Sequence, residues 1–237
     1  MASSQFCLRC YGSQEELNGW GWHLISNACF VFLDCRLPLL PLWAIGRMSE
    51  AVQPQLAIRD LWNESPTSLV LARWLQGLST TDVIPEIKVY PDAVYYNYFQ
   101  LGTSILFQPA TGYKPGDLSQ LDTSKLFLKS IDIYNESEIK YGTYPGYPLV
   151  FSPSSTKTVS ITPQTSGKDF VWALGEPDRK GGGNGPMSGS IGIWCEWPEL
   201  GLMVELGGED VRGPQAWEKG KDAKWKTITF FAPTPSS

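Results

Sequence analysis

Only one histidine occurs in the 237 residues, His23, and it falls within the first 47. Imidazole is the base of Ser-His-Asp and Cys-His nucleophile systems and a common metal ligand, so the rest of the chain is without those chemistries. Charge is sparse as well. Charged residues make up 18% of the chain, against ~25% in an average soluble domain. The balance is acidic, with 24 Asp and Glu against 19 Lys and Arg for a net charge of −5. Phosphate backbones call for a basic face, which excludes nucleic acid as the main partner.

Cysteine is missing from nearly all of the body. Cys7, Cys10, Cys29 and Cys35 crowd the first 35 residues, and Cys195 stands alone. An odd, lopsided set is not the disulfide framework of a secreted domain. C-x2-C followed by C-x5-C has the wrong second spacing for a zinc ribbon. No metal and no other cofactor is expected, and a reduced, cytoplasmic compartment fits the thiols. An unbroken membrane-length apolar run is also lacking. HLISNACFVFLDCRLPLLPLWAIGR is interrupted by Asp34, Arg36 and two prolines, where a spanning helix needs ~20 apolar residues. A basic start and a small-residue cleavage site are absent from it, so it is no signal peptide. Residues 1–47 are therefore expected to be a poorly specified apolar leader that need not be native.

What is present is periodic. SLVLARWLQGL has apolar residues at helical spacing, Leu69, Ala72, Leu75 and Leu78, widened by Val70 and Trp74, and Gly77 stands where the helix would fray. Two strands are expected over Tyr95–Phe99 and Thr103–Phe107, joined tightly through Gly102, and a third around Ile131 and Ile133, which alternate with Asp132. The same order returns: DFVWALGEP as a helix stopped by Gly175 and Pro177, hairpin arms Ile191–Trp197 and Leu202–Leu206 around Gly201, then WKTITFF. The glycine-rich stretch between helix and hairpin has no Gly-Lys-Ser/Thr, so it is not a phosphate loop.

Gly77 against Gly175, Gly102 against Gly201, and Lys129-Ser130-Ile131 against Lys226-Thr227-Ile228 keep a nearly constant separation, the signature of an internal repeat. The expected fold is α+β: two tandem α-β-β-β units, about residues 66–135 and 168–232, forming one antiparallel sheet with the helices packed on one face. Together they make a single domain, 48–232, before a tail at 233–237. One such unit buries too little apolar area to stand alone. Alternation turns Tyr96, Tyr98, Ile105, Phe107, Ile131 and Ile133 inward in the first unit. Ile193, Cys195, Trp197, Val204, Leu206, Ile228 and Phe230 turn inward in the second. The opposite face is left with Tyr95, Asn97, Phe99, Trp194, Glu196 and Met203, a candidate binding surface for a partner or ligand.

The run DAVYYNYFQLGTSILF at 92–107 resembles the D-Y-x-x-N-Y-F-x-L-G-x-x-I-L-F stretch of the phagosome assembly factor family. Tyr144-Pro145-Gly146, the Leu174-Gly175-x-Pro177 helix end, the SGSIGIWCEW…GLMVEL hairpin and the closing KTITFF follow in that family's order, over about residues 68–232. Only the C-terminal half of the family chain is represented. The resemblance implies a non-enzymatic adaptor in autophagy that partners a WD-repeat propeller protein, cytoplasmic and peripheral at autophagosomal membranes. The tandem plan also resembles the β-lactamase-inhibitor-protein fold, in architecture alone.

Alternatives from the residues themselves are a ligand- or peptide-binding or inhibitor module using the aromatic face, and a carbohydrate-active hydrolase using Asp92, Glu196 and Glu205, as paired strand-borne acids do. Cys195 is expected to be inert packing. A basic loop, Lys219, Lys221, Lys224 and Lys226, interleaved with Trp217 and Trp225, is a candidate contact for anionic lipid, diluted by Glu218 and Asp222.

Overall fold

The structure is a computed structural model that describes residues 58–135, 140–154, 156–183 and 192–235. The chain divides at residue 50, and the described residues all belong to the unit 51–237. The apolar leader, its four cysteines and His23 lie outside them. Among the described residues no helix is long and apolar enough to cross a membrane.

The fold is mixed helix and antiparallel sheet. Helix α1 spans Leu69–Leu78, and it is followed by β1 (Glu86–Val89), β2 (Val94–Tyr98), β3 (Thr103–Pro109) and β4 (Leu126–Tyr134). A small hairpin comes next, β5 (Leu149–Phe151) with β6 (Val159–Ile161). Helix α2 (Gly167–Leu174) then precedes β7 (Arg179–Gly181), β8 (Trp194–Trp197), β9 (Leu202–Leu206), the short α3 (Ala216–Lys219) and β10 (Trp225–Phe231). Eight strands form one sheet in the order β1-β2-β3-β4-β10-β9-β8-β7, antiparallel at every pairing. The first four run from one edge to the centre in chain order, and the last four fill the other half in reverse.

Each longer helix is thus followed by four sheet strands, where three are expected from the sequence. The additions are the two edges. Both are short and charged, with Glu86 and Lys88 on β1 and Arg179 and Lys180 on β7. An edge strand needs ladder hydrogen bonds on one side only, and its charges discourage pairing with another chain. Such a strand carries little alternation to be recognised by.

Side-chain alternation builds the core. Every residue expected to point inward does so, from Ile105, Phe107, Ile131, Ile133 and Ile228, each 0% exposed, to Tyr96 and Cys195 at 8%. They join Leu71 and Trp74 of α1, Phe170 and Leu174 of α2, and Ala216 of α3 in one cluster. Helix α1 departs from its expected stripe. Leu69 is 74% exposed, and the buried side is Leu71 and Trp74 with Leu75 and Leu78 beside them. The Ser68 side chain accepts the Leu71 N–H at 3.1 Å and starts the helix there. The indole is the largest apolar surface on the helix, so its position decides which side turns in. Gly77 lies inside α1, whose C-cap is Ser79, whereas Gly175 caps α2 at φ 87°. Those two glycines do not hold equivalent places.

Gly102 and Gly201 do. Each closes a one-turn 3₁₀ segment, Phe99–Leu101 and Pro198–Leu200, and each is left-handed, at φ 56° and 71°. A Cβ at Gly102 would run into the carbonyl oxygen of Gly142, and one at Gly201 into that of Phe231. Only glycine supplies both the backbone angle and the space.

Candidate functional site

The face of the sheet away from the core is built by the other half of the same alternation. One register row crosses all eight strands: Glu86, Asn97, Ser104, Asp132, Thr229, Met203, Glu196 and Arg179. Three of the residues expected on this face, Asn97, Met203 and Glu196, therefore stand on one line. Tyr95 and Trp194 stand on the flanking rows, opposite Lys88 and Gly181 respectively. Phe99 has left the sheet and begins the 3₁₀ turn. Helices α1, α2 and α3 place their buried residues in the core on the other side, and Tyr95, Phe99, Trp194, Glu196 and Met203 are half-buried.

Hydrogen bonds tie much of the row together. Asn97, 5% exposed, donates from Nδ2 to the Glu86 carbonyl at 3.2 Å. Its Oδ1 accepts from the Ser104 hydroxyl at 2.8 Å and the Tyr141 hydroxyl at 2.9 Å. The Thr229 hydroxyl donates to Asp132 Oδ1 at 2.7 Å. Arg179 pairs with Glu196 at 3.2 Å. The Trp194 ring lies across Gly181, where an added Cβ would come within 2.6 Å of Cζ2.

The first half of this face holds a hollow of about 470 Å³, lined by Lys88, Tyr90, Asp92, Ala93, Tyr95, Asn97, Ser104, Asp132, Tyr134 and Tyr141. The rings of Tyr134 and Tyr141 are stacked, 3.9 Å apart and 21° from parallel, and Phe99 meets Tyr141 edge-on at 4.8 Å. Burial pushes the Asp132 carboxyl above the usual aspartate range, and the Thr229 hydrogen bond offsets this in part. Tyr95 and Asn97 are the expected residues that line the hollow. Trp194, Glu196 and Met203 belong to the other half. Asp132, Tyr134, Ser104 and Tyr141 are among the lining residues that the sequence reading does not single out. Alternation with Ile131 and Ile133 already turns Asp132 to this face. Tyr141 arrives from a segment without period, and no local pattern announces it.

Two of the three acids of the hydrolase alternative have cationic partners, Glu196 in Arg179 and Glu205 in Lys226 at 3.6 Å, and the third, Asp92, lines the hollow. Among the described residues no three His, Cys, Asp or Glu side chains are grouped to hold a metal ion. The Cys195 thiol is pushed up to about 11, chiefly by burial, so it stays protonated at neutral pH.

The basic loop divides. Lys219, Lys221 and Lys224 are exposed, while Lys226 is half-buried beside Glu205. Asp222 is held by Lys168 at 2.6 Å. Trp225 does not flank the loop: it is 0% exposed, and its indole N–H donates to the Thr162 carbonyl at 2.8 Å. The cause is a bulge in the β10–β9 ladder between Trp225 and Thr227, which turns Trp225 to the same side as Ile228. Trp217 is 41% exposed, with Lys180 5.6 Å over its ring. Beside it runs an apolar groove of about 510 Å³ that the sequence does not announce, lined by Val171, Trp172, Ile193, Cys195 and Leu206 among others. Trp172 is 92% exposed.

No family model, no curated protein and no solved structure matches the chain significantly.

Proposed function

We propose that this chain is a non-enzymatic protein-binding module that offers the open face of its sheet to a partner. The observation that carries the reading is the row of aligned residues across eight strands, buried at Asn97 and Ser104 and open towards its ends, bordered by aromatic rings. Tyr, Trp, Met and Arg are the side chains enriched in interface cores, and Tyr95, Tyr134, Trp194, Met203 and Arg179 stand on this face. By resemblance, the partner is a WD-repeat propeller protein and the setting a forming autophagosomal membrane. Exposed Lys219, Lys221 and Lys224 would add a weak contact to anionic lipid there, about 1 kcal/mol each.

Two tandem units are the proposed source of the face. Tyr95 and Trp194, Asn97 and Glu196, and Gly102 and Gly201 are each 99 positions apart and take matching places in the two halves. Asp132 and Thr229, 97 apart, oppose one another, where a local two-fold between the units would pass. Since the paired positions carry different side chains, the two halves would contact different parts of one partner.

Affinity purification of the chain from its native host, followed by mass spectrometry, tests the reading. A propeller protein should co-purify, and Trp194→Ala or Phe99→Ala should release it while the melting temperature holds. Recovery of no reproducible partner overturns it. The second reading, a small-ligand or peptide site, is favoured by the hollow around Asn97 and Asp132.

A further inference from the structure

We infer that the tyrosine-lined hollow receives an organic cation, the ammonium or guanidinium head of a lysine or arginine side chain, with Asp132 as its counter-ion. Taking that cation from a protein rests on the protein-binding reading; the cation chemistry rests on the hollow itself.

Asp132 stands mid-strand between two fully buried isoleucines, on the central pair of the sheet. A carboxylate offers about four acceptor sites, and the Thr229 hydroxyl takes one of them, on Oδ1. Asp132 is half-buried, and an anion withdrawn from water is stabilised by a positive counterpart. The nearby basic side chains have other acidic or aromatic neighbours: Lys88 pairs with Glu86 at 3.6 Å, Lys226 with Glu205 at 3.6 Å, and Lys140 lies 5.5 Å over the Phe99 ring.

The surroundings select the sign of the ligand. Asp92 also lines the hollow, and the one lysine there, Lys88, is paired with Glu86, so an anion would meet two carboxyls and a cation already engaged. Asn97 has spent its carbonyl on two hydroxyls and one amide hydrogen on Glu86. Asn97 keeps one amide hydrogen, but the larger unused capacity in this row is for accepting, on Asp132, and it favours a ligand that donates. Tyrosine rings complete the case, because their negative faces attract ammonium and guanidinium groups within about 6 Å. Four of them line this hollow, two as a stacked pair. A volume of about 470 Å³ falls within the range of small-ligand pockets, roughly 300–1,000 Å³, and admits such a head with part of its stem.

The full chain, with ring-labelled tyrosines, is titrated by NMR with n-butylammonium, Nα-acetyl-arginine methylamide and neutral n-butanol. The Tyr134 and Tyr141 signals should move with both cations and stay still with butanol. Asp132→Asn, which keeps an acceptor for Thr229, should weaken the cations by about tenfold or more. Tyr141→Leu, away from the sheet centre, should weaken them by about threefold to tenfold. An equal response to butanol, no response to either cation, or unchanged affinity in Asp132→Asn overturns the inference. A tenfold preference for tetramethylammonium overturns the side-chain occupant in favour of a free quaternary ligand. These titrations need no partner, so their failure is separate from any failure to co-purify a propeller protein.

Discussion

The hydroxyl of Thr229 donates to the carboxylate of Asp132 at 2.7 Å, across the two strands where the halves of the sheet meet. Burial raises the Asp132 pKa, so folding favours the neutral acid. That preference helps stability below the usual aspartate range, near 3.9, and the help is lost as pH rises through the higher folded value. At neutral pH the ionised carboxyl is therefore a liability. Asp132→Asn should melt higher than the parent at pH 7 in a calorimetric scan. The gap should close as the pH falls. A lower melting point at pH 7 would contradict this. A gain on removing the charge is what a group kept for binding predicts.

Gly102→Ala and Gly201→Ala should each cost at least about 2 kcal/mol, since a left-handed residue with a side chain is strained even without a clash. Gly112, at φ 84°, has nothing within 4 Å of where a Cβ would go, and Gly112→Ala should cost about 1 kcal/mol. Denaturant midpoints of the three variants check the order. Similar losses at all three would mean that carbonyl crowding is unimportant.

Cys195 is 8% exposed and its thiol is raised to about 11. Iodoacetamide at pH 8 should leave it unmodified in the native chain and modify it in denaturant, read by peptide mapping to separate it from the N-terminal thiols. Its labelling rate then reports opening of the core around β8. Rapid native labelling would refute the packing role.

Trp172, almost wholly exposed on α2, should tolerate replacement by alanine within about 0.5 kcal/mol. Partner capture should survive as well, because α2 is on the side away from the open face. Loss of the partner in Trp172→Ala, with the fold intact, would move the binding surface to the apolar groove beside this helix.

Alternation made the core legible: residues spaced by two in β2, β3, β8 and β9 turn inward as their pattern requires. It failed where the period breaks. The bulge after Trp225 puts two inward residues three positions apart, so an indole in the core reads as a loop aromatic. The edge strands β1 and β7 fail for another reason, since polar, short segments have no buried side to betray them. For the site, Tyr95 and Asn97 were legible as outward residues. Their convergence with Tyr141 was not, because it depends on a hydrogen bond between residues 44 apart.

Strand β10 is made after every other strand of the sheet, yet it lies at the middle, between β4 and β9. During synthesis, hairpins on either side can form early, but each waits with a naked edge until residues 225–231 leave the ribosome. Truncation before Trp225 would strand two half-sheets with sticky margins, prone to pair with neighbouring molecules. The order of manufacture thus leaves assembly hostage to its final segment, and chaperone demand should peak just before that strand emerges.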